Sequence, residues 1–97
     1  MRLKGKSVVI TGATGAIGSA TAKRFIAEGA NVVLVGRSEE KLRSLSNSLN
    51  HSKALTTYVV EALDEAAVKQ SLDYCIDTFG GLDVVFANAG TEGAVKP

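Results

Sequence analysis

Short apolar runs alternate with longer amphipathic stretches along most of this chain. Four runs rich in valine, leucine and isoleucine have strand length, and three stretches between them repeat apolar residues at helical spacing. The first two runs are continuously apolar, as in strands that are covered on both faces of a sheet. The pattern predicts the order βαβαβαβ, with strands at 6–11, 31–35, 55–60 and 82–86 and helices at 16–28, 38–50 and 64–79.

The predicted helices have identifiable faces and ends. In the first, the face that repeats at i, i+4, i+7 and i+8 consists of Gly18, Ala22, Phe25 and Ile26. In the third, the spacing i, i+4, i+7, i+8 and i+11 selects Val68, Leu72, Cys75, Ile76 and Phe79. Ser38 is expected to cap the second helix, and Gly29 to end the first in a left-handed conformation. Strands joined in this order by right-handed helical crossovers predict an α/β fold with a doubly wound parallel sheet.

Composition excludes several classes of function. The 97 residues suffice for one small domain, and 45% are apolar and 22% charged, as is usual for a soluble globular protein. The formal net charge of +1, with no basic stripe, argues against binding to nucleic acid or to an anionic membrane. The single Cys75 cannot form an internal disulfide, which favours a reducing compartment, with the cytoplasm as the default location. One histidine and one cysteine do not suffice for a zinc or iron cluster.

Three glycines lie between the first predicted strand and the first predicted helix. Gly12, Gly15 and Gly18 recur at three-residue spacing within the segment 11–18. In such a turn the first glycine permits the tight bend, the second lets backbone N–H groups approach a pyrophosphate, and the third lets helix and strand pack closely. The helix N-terminus adds N–H donors and a positive dipole end for the anion. Glycines after a strand also occur in ordinary turns, so the spacing and its position carry the interpretation.

Further residues connect this turn to a known family. They are Thr11-Gly12 with Gly15 and Gly18, the run Glu28-Gly29-Ala30-Asn31-Val32-Val33, Arg37, the run Phe79-Gly80-Gly81-Leu82-Asp83, and Asn88-Ala89-Gly90. From Lys4 to Gly93 the chain resembles the N-terminal part of the short-chain dehydrogenase/reductase family. The resemblance implies a Rossmann-type sheet truncated to about four strands in the order 3-2-1-4 with three helices. It also implies that residues 1–97 are one partial dinucleotide-binding domain.

The same resemblance implies which residues hold the cofactor. They are Gly12, Thr14, Gly15, Ile17, Gly18, Arg37, Ser38, Asn88, Ala89 and Gly90. Asn88 would fix the end of the fourth strand, while Ala89 and Gly90 would let the backbone approach the adenosine half. Two positions depart from the family. Ala16 stands where the usual form has glycine, which adds a methyl group near the phosphates, and Glu61 stands where an aspartate usually contacts the adenine.

The end of the second strand favours NADP(H) over NAD(H). NAD-specific sites have an acidic residue there that bonds the ribose hydroxyls, whereas this chain has Gly36 followed by Arg37 and Ser38. No carboxylate therefore repels a 2′-phosphate, and the planar guanidinium of Arg37 suits one. The alternative is that Arg37 is a solvated loop residue. Thr14 and Gly15 occupy the place where a second basic residue often lies in the glycine turn.

Residues for the reaction itself are not recognisable. In the family, a tyrosine acts as acid and base, with a lysine four residues later and a serine upstream. Tyr58 and Tyr74 are followed at that distance by Ala62 and Thr78, so we expect no catalytic residue in this chain. We interpret it as the N-terminal part of an NADP(H)-dependent oxidoreductase that exchanges a hydride with a carbonyl or alcohol substrate. A non-catalytic dinucleotide-binding or sensing module, and an assembly element completed by a partner chain, remain as alternatives.

The fourth strand leads to an expectation about association. In the order 3-2-1-4, the segment Val84-Val85-Phe86 would border a further strand in the complete fold. Without that strand its backbone groups lie at an open edge, and one helix covers a sheet face that several normally share. We expect exposed apolar surface, and either self-association or marginal stability.

Overall fold

Four parallel strands form one sheet in the computed structural model, which describes residues 3–12, 16–49, 53–62 and 64–87. In chain order the elements are β1 (Ser7–Thr11), α1 (Ala16–Ala27), β2 (Asn31–Gly36), α2 (Glu39–Ser48), β3 (Leu55–Val59), α3 (Glu65–Phe79) and β4 (Val84–Ala87). The strands lie side by side in the order β3-β2-β1-β4, and each neighbouring pair is parallel. The predicted α/β class, the Rossmann-type doubly wound sheet and the strand order are confirmed.

Both faces of the sheet are apolar because helices cover both. Every residue of β1 is buried, as is every residue of β2 except the first. The face packed against α1 and α2 is formed by Val8, Ile10, Val32 and Leu34. The face packed against α3 is formed by Val9, Val33 and Val35. Successive side chains of a strand point to opposite faces, so the continuous apolar runs supply both layers.

Capping residues fix where the helices begin and end. The Oγ of Ser38 and the carboxylate of Asp64 each accept a hydrogen bond from the backbone N–H three residues later, at 3.2 and 2.8 Å. Both bonds satisfy N–H groups that have no partner within the helix. Gly29 and Gly80 lie just beyond α1 and α3 with φ angles of 91° and 84°, which glycine adopts without strain. The predicted left-handed stop at Gly29 is confirmed.

The buried face of α3 is the predicted one only in part, since Ser71 is fully buried and Ala67 and Tyr74 pack against the core cluster although none of the three was predicted. Cys75 is fully buried, and Leu72 and Phe79 pack in the same cluster, but Ile76 is 44% exposed. The reason is that α3 packs on β1 and β2, while Ile76 lies about 100° round the helix from Cys75. Val85, which pairs with Val9 and so lies on the α3 side of the sheet, is 42% exposed. The expected exposed apolar surface is therefore present at Ile76 and Val85.

Asp83 joins the start of β4 to the start of β1. Its backbone N–H donates to the carbonyl oxygen of Ser7, and its Oδ2 accepts from the N–H of Ser7, both at 2.8 Å. Regular pairing of β4 with β1 starts at Val84, which is two residues later than the sequence pattern predicts, because the chain reaches β1 only after the turn at Gly80. The two bonds of Asp83 thus set the register of β4.

Cys75 behaves as a small apolar group. Burial, and after it the negative charge of Asp83, raises the pKa of the Cys75 thiol above its ordinary value of 9.0. Its Sγ lies 3.5 Å from the carbonyl oxygen of Gly81, to which it donates weakly. The thiol is therefore protonated near neutral pH, and its role is packing, as its place on the apolar face of the predicted helix indicates.

Candidate functional site

The carboxyl ends of β1, β2 and β4 meet at one edge of the sheet. Thr11, the last residue of β1, lies opposite Val35 of β2 and opposite Ala87, the last residue of β4. Neighbouring strands lie about 4.8 Å apart, so the segments that follow them are held side by side. In open α/β sheets, ligands bind outside the carboxyl ends of the strands, where adjacent crossovers leave to opposite faces. We define the candidate site as the region outside these carboxyl ends, next to Thr11, Val35 and Ala87.

Gly12 and the start of α1 form one wall of the candidate site. Gly12 follows β1 directly and has a φ of 66°, in the left-handed region that favours glycine. The helix begins at Ala16 and has no acidic residue in its first turn, so no side chain there opposes an anion at the positive end of the helix dipole. Gly18 is buried within α1, and a glycine at this place in a dinucleotide turn permits close packing of helix and strand. These features fit the pyrophosphate of a dinucleotide.

The end of β2 forms the neighbouring wall. Gly36 is buried, whereas Arg37, which follows it, is exposed. The Oγ of Ser38 accepts the capping bond from the N–H of Lys41, and its hydroxyl proton can still be donated to a ligand. Arg37 and Ser38 thus follow the end of β2 directly, and their contact with a ligand phosphate stays a prediction.

The first turn of α2 places acidic charge near Arg37. Glu39 and Glu40 are both exposed in this turn. The Oε2 of Glu39 lies 3.3 Å from Nη2 of Arg43, one turn further along the helix, and this ion pair balances part of the charge. Exposed pairs of this spacing contribute about 0.3–0.5 kcal/mol. The pair is thus a weak feature, and Arg37 remains the basic group next to the end of β2.

Glu61 lies beyond the end of β3. It is exposed and borders an open cleft of about 400 Å³ between β3 and the start of α3, whose walls include Val60, Ala62 and Asp64. Val59, the last residue of β3, pairs with Gly36, the last residue of β2, so this cleft lies near the carboxyl ends of both strands. The carboxylate is accessible to a ligand, as a contact with adenine would require.

The structure places part of the predicted cofactor site. Gly12, Arg37 and Ser38 lie just beyond the carboxyl ends of β1 and β2, and Gly18 is the third residue of α1. Outside the described residues lie Thr14, Gly15, Asn88, Ala89 and Gly90, together with the side chain of Ile17. Contacts between any of these residues and a cofactor stay a prediction.

Leu42 belongs to the site in a way that the sequence pattern does not reveal. A Cβ on Gly36 would lie 3.4 Å from Cδ2 of Leu42, so this side chain closes the space beside the end of β2. Helical periodicity predicts that Leu42 faces the core, but it does not identify the strand residue beneath it. The one sequence signal is that Leu42 lies one helical turn after the cap residue Ser38, to whose carbonyl oxygen its N–H donates. At this position the first inward-facing side chain of α2 lies over the end of β2.

Metal-binding groups and membrane-spanning helices are both absent from residues 3–12, 16–49, 53–62 and 64–87. In these ranges no three histidine, cysteine, aspartate or glutamate side chains are grouped so that they could hold a metal ion. Within the same part of the chain, no helix has both the length and the apolar character needed to cross a bilayer.

Known proteins share both the sequence and the fold of this chain. Residues 6–97 match the family model described as short chain dehydrogenase. Short chain aldehyde dehydrogenase 1 from Euphorbia lathyris is 34% identical over 96 residues, which are 99% of this chain and 33% of that protein. The apo-form glucose dehydrogenase of Caenorhabditis elegans superposes with a TM-score of 0.84 at 32% identity, over 94% of this chain and 40% of its own. NAD+-bound xylitol dehydrogenase gives 0.82 at 34% identity, over 97% and 36%. The chain spans about a third of the length of the curated relatives it matches.

Proposed function

Because this chain belongs to the short-chain dehydrogenase family, we propose that it is the NADP(H)-binding portion of an oxidoreductase that exchanges a hydride with a carbonyl or alcohol substrate. The observation that carries the proposal is the turn from β1 to α1, where Gly12 has a positive φ and the helix starts without an acidic residue. This turn supports binding of a pyrophosphate. Arg37, exposed at the end of β2, supports binding of a phosphate on the adenosine ribose.

Each part of the candidate site has its own task in this proposal. Backbone N–H groups of residues 12–18 bind the pyrophosphate, and Arg37 and Ser38 bind the 2′-phosphate. The residues assigned to the adenosine half are Asn88, Ala89 and Gly90. A bound nicotinamide supplies the hydride donor or acceptor. We assign substrate binding and proton transfer to parts of the protein outside this chain, because neither Tyr58 nor Tyr74 has a lysine four residues later.

The preference for NADP(H) rests on residues of this chain alone. The solved xylitol dehydrogenase has NAD+ bound, so likeness to it does not support the preference. Gly36 brings no carboxylate to the ribose, and Arg37 can pair with a phosphate through two parallel hydrogen bonds. An Arg37 that points into solvent in the bound state would give no discrimination between the two cofactors.

Titration of the chain with both reduced cofactors tests the proposal. We expect NADPH to bind at least about tenfold more tightly than NADH, because hydrogen bonds to charged groups contribute about 1.5–3 kcal/mol. Both cofactors report binding through their own fluorescence, and adenosine 2′,5′-bisphosphate and AMP serve as competitors that isolate the adenosine half. Equal affinities would contradict the preference for NADP(H). Failure of both cofactors to bind would contradict the site assignment for this chain.

We also propose that the chain self-associates through β4. Among the described residues, β4 pairs with β1 only, and it forms one edge of the sheet. Val85 and Ile76 are 42% and 44% exposed near this edge, and an open strand edge with apolar side chains is a template for pairing with another chain. Light scattering is expected to show particles larger than one chain, and Val85→Lys is expected to reduce their size. A monomer with a sharp unfolding transition would contradict the proposal.

A cytoplasmic location is part of the same proposal. The single Cys75 is buried and cannot form an internal disulfide, and reducing compartments are where chains without disulfides are common. A cysteine outside a disulfide is consistent with an oxidoreductase of the reducing cytoplasm.

A further inference from the structure

β3 forms the edge of the sheet that lies opposite β4. It pairs with β2 on one side, and among the described residues no strand pairs with its other side. Its sequence is Leu-Thr-Thr-Tyr-Val, which contains no charged residue and no proline. Those are the residues that natural edge strands use to prevent pairing with another chain. β3 is therefore an edge to which a further strand can be added.

The backbone groups of β3 point alternately towards β2 and away from it. The N–H of Val32 donates to the carbonyl oxygen of Ala54 at 2.6 Å, and the N–H of Val60 donates to the carbonyl oxygen of Gly36 at 2.9 Å. Because successive residues of a strand direct their N–H and C=O groups to opposite sides, the even-numbered residues face β2. The residues of β3 that direct these groups away from β2 are Leu55, Thr57 and Val59.

Side chains of the even-numbered residues have partners within the chain. Oγ1 of Thr56 lies 3.0 Å from the phenolic oxygen of Tyr74 on α3, and the ring of Tyr58 lies 4.9 Å from the ring of Tyr74. The other side of β3 is more open. Val59 is 47% exposed, and an open cleft of about 260 Å³ lies between α2 and β3. The odd-numbered residues thus have both backbone groups and side-chain surface to offer a partner.

We propose that β3 pairs with β3 of a second copy of this chain, in antiparallel orientation and with the two-fold axis at Thr57. In this register Thr57 lies opposite Thr57 of the other copy, and Leu55 lies opposite Val59 in both directions. Each of these three pairs exchanges two hydrogen bonds, which gives about six across the interface. Every other antiparallel register places at least one outward-facing residue beyond the end of the other copy's β3.

The side chains that meet in this register are complementary. Leu55 and Val59 form apolar cross-strand pairs that cover the exposed part of Val59, and the two Thr57 hydroxyls can bond each other. Glu39 and Arg43 both line the cleft beside β3. A surface that faces its own copy across a two-fold axis must complement itself, and one acidic and one basic residue avoid a build-up of like charge.

The helices on this face leave room for the second copy. α2 contacts both β2 and β3, so its axis lies inward of the edge. With strands about 4.8 Å apart, the α2 helices of the two copies would lie about 10 Å from each other, which is an ordinary distance for packed helices. The pairing therefore continues the sheet across the two copies and packs one α2 beside the other.

Sedimentation of lysine variants tests the interface. All variants carry Val85→Lys, which is expected to block association through β4, and we expect this protein still to form dimers. Thr57→Lys places two like charges opposite each other at the axis and is expected to raise the dimer Kd at least about tenfold. Gln70→Lys adds the same charge on an exposed part of α3 and is expected to change the Kd less than about threefold. A monomeric Val85→Lys protein, or equal effects of Thr57→Lys and Gln70→Lys, would overturn the proposal.

Disulfide trapping tests the register with variants that change the chain little. Opposed residues of a hydrogen-bonded antiparallel pair have Cα atoms about 5.5 Å apart, which suits a disulfide. Two Val59→Cys residues would lie four positions apart along the strands, too far to bond. With oxidised glutathione we expect Thr57→Cys to form linked dimers at least about fivefold faster than Val59→Cys. The wild type controls for the buried Cys75.

Equal rates of dimer formation by Thr57→Cys and Val59→Cys would also overturn the proposal. Neither experiment uses a cofactor, so the outcome is independent of whether the chain binds NADPH or NADH.

Discussion

Replacing Arg37 with alanine is expected to weaken NADPH binding by about tenfold to a hundredfold and to leave NADH binding unchanged. Hydrogen bonds from a guanidinium to a phosphate contribute about 1.5–3 kcal/mol, and NADH has no 2′-phosphate to lose them. Arg37 is exposed at the end of β2, so its truncation costs little packing. The measurement is the ratio of the two dissociation constants, by cofactor fluorescence, for the wild type and the variant.

Arg43→Ala is the matched control for Arg37→Ala. Arg43 lies one turn along α2 and is exposed, with its Nη2 3.3 Å from the carboxylate of Glu39. Its loss removes the same formal charge and is expected to change NADPH affinity by less than about threefold, because the effect of a charge at a distance is screened by salt. If both variants weakened NADPH binding equally, the effect of Arg37 would be one of net charge, and the proposed contact would be wrong.

Replacing Asp83 with alanine is expected to lower the free energy of unfolding by about 1–3 kcal/mol. The change leaves the N–H of Ser7 without the carboxylate that accepts from it at 2.8 Å. Ser7 is 2% exposed, so water does not readily replace this acceptor. Small domains have about 5–15 kcal/mol of stability in total, which makes this loss a large fraction. Urea denaturation followed by circular dichroism measures it.

Two further variants separate the hydrogen bond of Asp83 from its charge. Asp83→Asn keeps an acceptor oxygen and is expected to lose less stability than Asp83→Ala. Asp73→Ala removes an exposed carboxylate of α3, which lies 4.0 Å from Nζ of Lys69, and is expected to change stability by no more than about 0.5 kcal/mol. Equal losses for Asp83→Ala and Asp73→Ala would show that the bond to Ser7 contributes nothing.

The fold was predictable because its strands and helices are encoded by residues close together in sequence. Continuous apolar runs identify β1 and β2 as strands that are buried on both faces, and glycine or capping residues mark the helix ends. The exposure of Ile76 was not predictable in the same way. Helical periodicity shows that Ile76 lies at the border of the apolar face of α3. Whether the sheet is wide enough to cover Ile76 depends on how the strands assemble, which periodicity does not show. The late start of β4 likewise depends on Asp83 meeting Ser7, a pair 76 residues apart.

In the candidate site, too, the residues identified by local sequence were predictable and the contact set by packing was not. Gly12 and Arg37 are recognisable because the chemistry depends on residue type and on position at a strand end, both of which are local. The contact between Leu42 and Gly36 is set by how α2 packs on β2, and an offset of one turn would place a different side chain there. The distance of 3.4 Å between a Cβ at position 36 and Cδ2 of Leu42 therefore cannot be predicted from the spacing of the two residues in the sequence.

The place of β1 between β2 and β4 also determines when β1 gains its second neighbouring strand. During synthesis from the N-terminus, β2 is available to β1 long before Asp83 and β4, since Asp83 lies 76 residues after Ser7. Contacts of such high sequence separation form late and slowly. Until then, one edge of β1 and the sheet face that carries Val9 are not covered by α3 and β4, so the nascent chain exposes apolar surface until β4 pairs with β1. Aggregation and chaperone capture are expected to concentrate in that interval.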